Sequence, residues 1–118
     1  MTSSTVLDIL TSIRDLTIDN NDALTSLTGL DNVTSIRELN IEGNNALTSL
    51  TGLENLTSIE NGGWYEIGLI INGNNALTSL TGLDGLTSIE GGLSIYDNDG
   101  LTSLTGLENF TSIEVFWY

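Results

Sequence analysis

Apolar residues recur along the chain in two alternating rhythms. In Leu16-Thr17-Ile18, Leu39-Asn40-Ile41, Leu69-Ile70-Ile71 and Leu93-Ser94-Ile95 the first and third positions are apolar. That is the two-residue period of a strand with one buried face. Through LTSLTGLDNVTSI, from Leu24 to Ile36, apolar residues instead come every third position. A period of three is neither 2.0 nor 3.6, and suits short extended or 3₁₀-like segments turning around a core. The spacing predicts short strands at Leu16–Ile18, Leu39–Ile41, Leu69–Ile71 and Leu93–Ile95, and a fifth around Phe116–Tyr118.

The two rhythms belong to one repeated unit. ALTSLTGL begins at Ala23, Ala46 and Ala76, and returns as GLTSLTGL from Gly100, in steps of 23, 30 and 24 residues. Leu30 to Ile36 recurs as Leu53 to Ile59, Leu83 to Ile89 and Leu107 to Ile113, and Leu7 to Ile13 is the same element. The 118 residues therefore divide as one domain into a partial first repeat 1–22, repeats 23–45, 46–75 and 76–99, and a partial terminal repeat 100–118. The second full repeat carries an insertion at 61–68. One unit supplies about seven inward apolar side chains and cannot bury them alone, whereas stacked units can.

The strand part of each unit carries a family resemblance. Ile13, Leu16, Ile18, Asn21 and Leu24 read I-x-x-L-x-I-x-x-N-x-x-L, and Ile36, Leu39, Ile41, Asn44 and Leu47 repeat the offsets. Leu69, Ile71, Asn74 and Leu77 follow the insertion; Leu93, Ile95, Asn98 and Leu101 follow one extra residue. This pattern resembles the leucine-rich-repeat signature. With its T-S-L-T-G-L and L-T-S-I triplets it is closest to the repeats of receptor L domains. The resemblance implies a mainly β, right-handed solenoid of about five stacked coils with short parallel strands and 3₁₀-like turns. At about 4.8 Å per coil this makes a rod roughly 24 Å long. It also implies a concave strand face that binds partners, and an extracellular or cell-surface setting if the chain is a fragment.

Composition narrows the chemistry. There is no Cys, His or Lys, so disulfides, thiolate nucleophiles, Cys or His metal sites and the commonest general base are all missing. Neither a G-x-G-x-x-G nor a P-loop occurs, and Gly62-Gly63 and Gly91-Gly92 read as turn glycines. The reading is not an enzyme, with no cofactor. Sixteen acids against Arg14 and Arg37 give a formal charge of −14. Such a surface repels phosphate backbones and anionic lipid, so neither nucleic acid nor membrane is an expected partner. The opening MTSSTVLDIL lacks the basic region, apolar stretch and cleavage site of a secretory signal. It reads either as an intracellular chain or as a segment of something longer.

Stacking turns repeat positions into columns. Asn21, Asn44, Asn74 and Asn98 form a structural ladder in which each inward amide satisfies backbone groups where the strand bends away. Asp8, Asp31, Glu54, Asp84 and Glu108 form an acidic column, read as turn caps rather than a divalent-cation strip. A calcium loop from Asp97 fails at Leu101 and Thr102, so calcium is not expected. Thr25, Thr48, Thr78 and Thr102 form one hydroxyl column; Thr28, Thr51, Thr81 and Thr105 form another. Asn32-Val33-Thr34, Asn55-Leu56-Thr57 and Asn109-Phe110-Thr111 match the glycosylation sequon.

The candidate binding residues are aromatic. Trp64 and Tyr65 lie in the insertion, either as an exposed contact or folded back over the edge. Tyr96 and Trp117 join them on the outward strand face, which runs from acidic (Asp15, Asp19, Glu38, Glu42) to apolar (Ile70, Tyr96, Trp117). Val115, Phe116, Trp117 and Tyr118 end the chain as an aromatic strand, a candidate end-to-end contact. The leading expectation is a structural or protein-interaction scaffold that assembles end to end through uncapped terminal coils. The alternatives are a module binding carbohydrate or peptide and, more distantly, an ice-binding surface of threonine ladders.

Overall fold

Each T-S-I triplet opens a strand. The computed structural model describes residues 12–60, 67–103, 105–107 and 112–117, the last stretch by its backbone alone. Its strands are β1 (Ser12–Asp19), β2 (Ser35–Glu42), β3 (Ser58–Glu60), β4 (Ile67–Asn72), β5 (Ser88–Tyr96) and β6 (Ser112–Trp117). The described residues are mainly β and include no helix. The strands run well beyond the predicted L-x-I cores. The Ser-Ile pair, assigned by its period of three to the turning segment, is extended because the same pair lies opposite it in the next strand. Ser12 faces Ser35 and Ile13 faces Ile36; Ser35 faces Ser58; Ser58 faces Ser88; Ser88 faces Ser112.

All six strands pair in parallel, equivalent letter over equivalent letter. Leu16, Leu39, Leu69 and Leu93 stand in register, as do Ile18, Ile41, Ile71 and Ile95. Repetition sets this register, because a one-residue slip would turn every apolar side chain to the other face. β3 and β4 share one strand line. β2 pairs β3 through Ile36 and Ile59 and then pairs β4 through Leu39 and Leu69; β5 does the same from the other side. Ile67 and Gly68, placed in the insertion by sequence, are strand residues of β4.

The fourth unit's extra residue is absorbed inside β5. Its register against β6 shifts between Ile89 and Gly92, and Gly91 sits at φ 88°. Gly91 and Gly92 are thus strand residues at a bulge, not the turn glycines their dipeptide suggested.

Between strands, the period of three is the period of the backbone hydrogen bonds. Leu30 N–H donates to Leu27 C=O at 3.3 Å and Val33 N–H to Leu30 C=O at 3.0 Å, and the next two units repeat both bonds. These are successive single turns rather than 3₁₀ helices. Neighbouring units are tied here too: Leu27, Leu50 and Leu80 each donate N–H to the C=O of Thr51, Thr81 and Thr105 at 2.8 Å. The glycine after each of those threonines is obligatory. Gly52, Gly82 and Gly106 sit at φ 115–117°, and a Cβ on any of them would fall on the carbonyl of Leu27, Leu50 or Leu80.

Leucine and isoleucine from both halves of each unit fill one core. Ile36, Leu39, Ile41, Leu47, Leu50, Leu53, Leu56 and Ile59 are all at most 1% exposed. The molecule measures 34 × 33 × 23 Å, so the expected rod is instead squat. Its accessible surface, 6039 Å², is close to the roughly 6200 Å² of an ordinary compact chain of this mass.

Candidate functional site

Three surfaces position the polar residues of this chain, and the first lies inside it. Asn44 and Asn74 are fully buried and Asn98 is 9% exposed. Asn21 N–H donates to Asn44 Oδ1, Asn44 N–H to Asn74 Oδ1 and Asn74 N–H to Asn98 Oδ1, each at 3.0 Å. The side-chain amides donate backwards as well: Asn44 Nδ2 to Ile18 C=O at 2.9 Å, Asn74 Nδ2 to Ile41 C=O and Asn98 Nδ2 to Ile71 C=O at 3.0 Å. The side chains of Asn44, Asn74 and Asn98 therefore each accept and donate at once, which no carboxylate can do. The row leaves no amide free to grip a ligand.

The residue before each Asn of this row has a left-handed backbone. Asn20 and Asp97 sit at φ 54° and 55°, Gly43 and Gly73 at 67° and 70°. Only Gly, Asn and Asp adopt this region readily, and only those three occur at the position.

The second surface is the outer face of the sheet. Thr17, Asn40, Ile70, Ser94 and Trp117 stand opposite one another across it, and Asp19, Glu42, Asn72 and Tyr96 form the next row. Tyr96 is 43% exposed, the one large exposed hydrophobic among the described residues. Ser94 is buried at 7%, and Asn40 Oδ1 is buried with no hydrogen-bond partner among the described residues. Asp15 and Arg37 approach to 3.9 Å with both side chains well exposed, a pair that contributes well under about 1 kcal/mol. Val115, Phe116 and Trp117 lie on β6 opposite Gly92, Leu93 and Ser94. Trp64, Tyr65 and Tyr118 lie outside the described residues.

The third surface is the turn side. Ser26 and Thr28 hydroxyls lie 3.0 Å apart, and Ser49–Thr51, Ser79–Thr81 and Ser103–Thr105 repeat the pair at 2.8–3.0 Å. Thr25, Thr48, Thr78 and Thr102 are exposed beside them. Of the acidic column, Glu54 accepts the N–H of Gly52 at 2.9 Å, capping the turn two residues before it. Asp31 and Asp84 are exposed, while Asp8 and Glu108 lie outside the described residues. Among the described residues no three acidic side chains converge on one point. At the second sequon, Asn55 Nδ2 donates to Asp31 C=O at 2.6 Å and Thr57 Oγ1 to Thr34 C=O at 3.1 Å.

One column escaped the reading of the sequence. The residue after the Ile of each T-S-I is Arg14, Arg37, Glu60, Glu90 and Glu114 in turn. Both of the chain's cations thus share one strand position, and the later strands carry acid there. The signal was present in the letters, S-I-R twice and then S-I-E three times. It matters only once the strands are known to stand in register, as Glu60 and Glu90 do.

No protein-family model, no curated protein and no solved structure matches the chain.

Proposed function

We propose that the chain is a non-enzymatic scaffold, a right-handed leucine-rich-repeat-like solenoid whose outer sheet face receives a protein partner. The parallel, letter-over-letter register supports the solenoid, because each unit then adds one layer. The observation that carries the binding face is the row Asp19, Glu42, Asn72, Tyr96, which runs from carboxylates to an exposed aromatic. Such a gradient offers charge for orientation and a ring for affinity.

The test compares capture from a cell extract by three proteins. They are the parent, an Asp19→Ala/Glu42→Ala/Tyr96→Ala variant, and a turn-side Thr51→Ala/Thr81→Ala variant. Specific partners should be retained by the first and third and depleted at least about tenfold on the second. Equal retention by all three removes the proposal.

A second reading is a module binding carbohydrate or peptide through the insertion. What favours it is position: the insertion stands between β3, which ends at Glu60, and β4, which takes up the same strand line at Ile67. Trp64→Ala/Tyr65→Ala should then abolish binding on a glycan and peptide array, and unchanged binding dismisses it. The repeated Ser–Thr pairs keep ice binding as a third reading, one that an absence of thermal hysteresis would end.

A further inference from the structure

We propose that Asn72–Gly73 is a self-modification site, a deamidation point that the folded sheet holds closed and that local unfolding opens. The asparagine row sets up the pair. The residue before each Asn of that row has a left-handed backbone, at Asn20, Gly43, Gly73 and Asp97. One place earlier stands the last residue of each strand: Asp19, Glu42, Asn72 and Tyr96, opposite one another on the outer face. Only the third of these four junctions joins a side-chain amide to a glycine. Glycine has no Cβ to crowd its nitrogen, so Gly73 N is the least hindered nucleophile the row can offer to a side-chain carbonyl carbon. The site acts whatever the outer face binds.

The chemistry needs only water. Hydroxide takes the proton of Gly73 N–H, and the nitrogen attacks Asn72 Cγ. The N–Cγ bond forms, the Cγ–Nδ2 bond breaks, and the amide nitrogen leaves as ammonia with a proton from water. A five-membered succinimide remains, and water opens it at one of its two carbonyl carbons. Opening at Cγ gives aspartate, a further carboxylate beside Glu42. Opening at the main-chain carbonyl gives isoaspartate, which routes the backbone through Cβ and Cγ.

The sheet blocks the attack. Strand side chains stand out of the sheet plane, whereas the backbone N–H groups lie in it. Gly73 N–H donates to Tyr96 C=O at 3.3 Å, while Asn72 C=O accepts Gly43 N–H at 2.9 Å and Asn74 Nδ2 at 3.2 Å. Turning Asn72 Cγ onto Gly73 N breaks this pairing on both sides. The equivalent bonds of Asn20 and Gly43 are 2.9 Å long, so the nucleophile of Asn72–Gly73 is the least firmly held. Isoaspartate would lengthen the chain just before fully buried Asn74 and turn the Asn72 C=O into a free carboxylate. Both bonds to that oxygen then lose their geometry, and the end of β4 no longer fits its neighbours.

Peptide mapping by mass spectrometry of the 118-residue chain, held at mildly alkaline pH in buffer and in unfolding urea, tests the site. In urea, Asn72 should react as fast as Asn61 of Asn61–Gly62, the chain's other Asn–Gly pair. In buffer it should react at least about tenfold more slowly, as a site that reacts only on opening does. Asn74→Ala removes one bond to Asn72 C=O and should raise the buffer rate at least about fivefold with the urea rate unchanged. If circular dichroism shows that variant unfolded, its buffer rate should equal the parent's rate in urea. Chains isolated with isoaspartate at this position should unfold at lower urea than unmodified ones. No reaction at Asn72 in urea, equal rates in buffer and urea, a parental buffer rate for Asn74→Ala, or an unchanged urea midpoint for the isoaspartyl chain would each overturn the proposal.

Discussion

Asn74 holds Asn44 twice: its Oδ1 accepts the backbone N–H of Asn44 at 3.0 Å and the side-chain amide at 3.1 Å. The same side chain donates to Ile41 C=O at 3.0 Å, so one residue joins two units at a fully buried point. Asn74→Ala strands at least one donor and one acceptor without water. It should destabilise the fold by about 3 kcal/mol or more in urea unfolding. Asn74→Asp should be no milder, since it removes both donors and buries a charge. Asn21→Ala, in the half-buried first member of the row, should cost about 1 kcal/mol.

Two glycine columns separate two causes. Gly73 has φ 70° and an added Cβ would keep 3.6 Å from Gly43 N, so Gly73→Ala meets only backbone strain of about 1–2 kcal/mol. Gly73→Asn should cost less than about 1 kcal/mol, because Asn tolerates that region. At Gly52 the Cβ would fall on the Leu27 carbonyl and its backbone neighbours, so Gly52→Ala should exceed about 3 kcal/mol. Equal thermal shifts for Gly52→Ala and Gly73→Ala would contradict the close approach.

Asp97 occupies the left-handed position that glycine fills at Gly43 and Gly73. Asp97→Gly should therefore raise stability by about 0.5–1 kcal/mol. It also removes one of sixteen acids, so Asp97→Asn is the control that separates charge from backbone. A melting temperature raised by Asp97→Asn as much as by Asp97→Gly would assign the gain to charge.

Equivalent leucines should differ with the burial of their unit. Leu77 is fully buried, while its counterpart Leu101 is partly exposed. Leu77→Ala should cost about 2–5 kcal/mol and Leu101→Ala roughly half as much in the same denaturation experiment.

Removing residues 61–66 should leave the fold intact. The deletion joins Glu60 to Ile67 and gives the third unit the same Ile-to-Leu spacing as Ile89 to Leu93 in the fourth. Far-ultraviolet circular dichroism and cooperative unfolding should survive. Loss of either would show that the insertion holds β3 and β4 on their shared line.

The strand cores and the in-register columns were legible in the letters because repetition fixes register: Leu39 has the same neighbours as Leu16 and can only lie over it. The strand beginnings were not, since Ser35-Ile36 continues a period-three pattern from Val33 and becomes extended only when Ser12-Ile13 lies beside it. Gly91-Gly92 misled for the same kind of reason. A glycine pair marks a turn when read alone, but here an extra residue had to be absorbed without breaking β5. The Arg14 and Arg37 column stayed hidden because charge has no periodicity of its own and acquires meaning only from strand neighbours.

Every hydrogen bond from one asparagine of the row to another points the same way, from the N–H of one unit to the side-chain oxygen of its successor. The arrangement is a one-way grammar in which any unit can follow any other and none can be inserted backwards. Tandem duplication of a unit would therefore extend the sheet and the asparagine row together while asking nothing new of their chemistry.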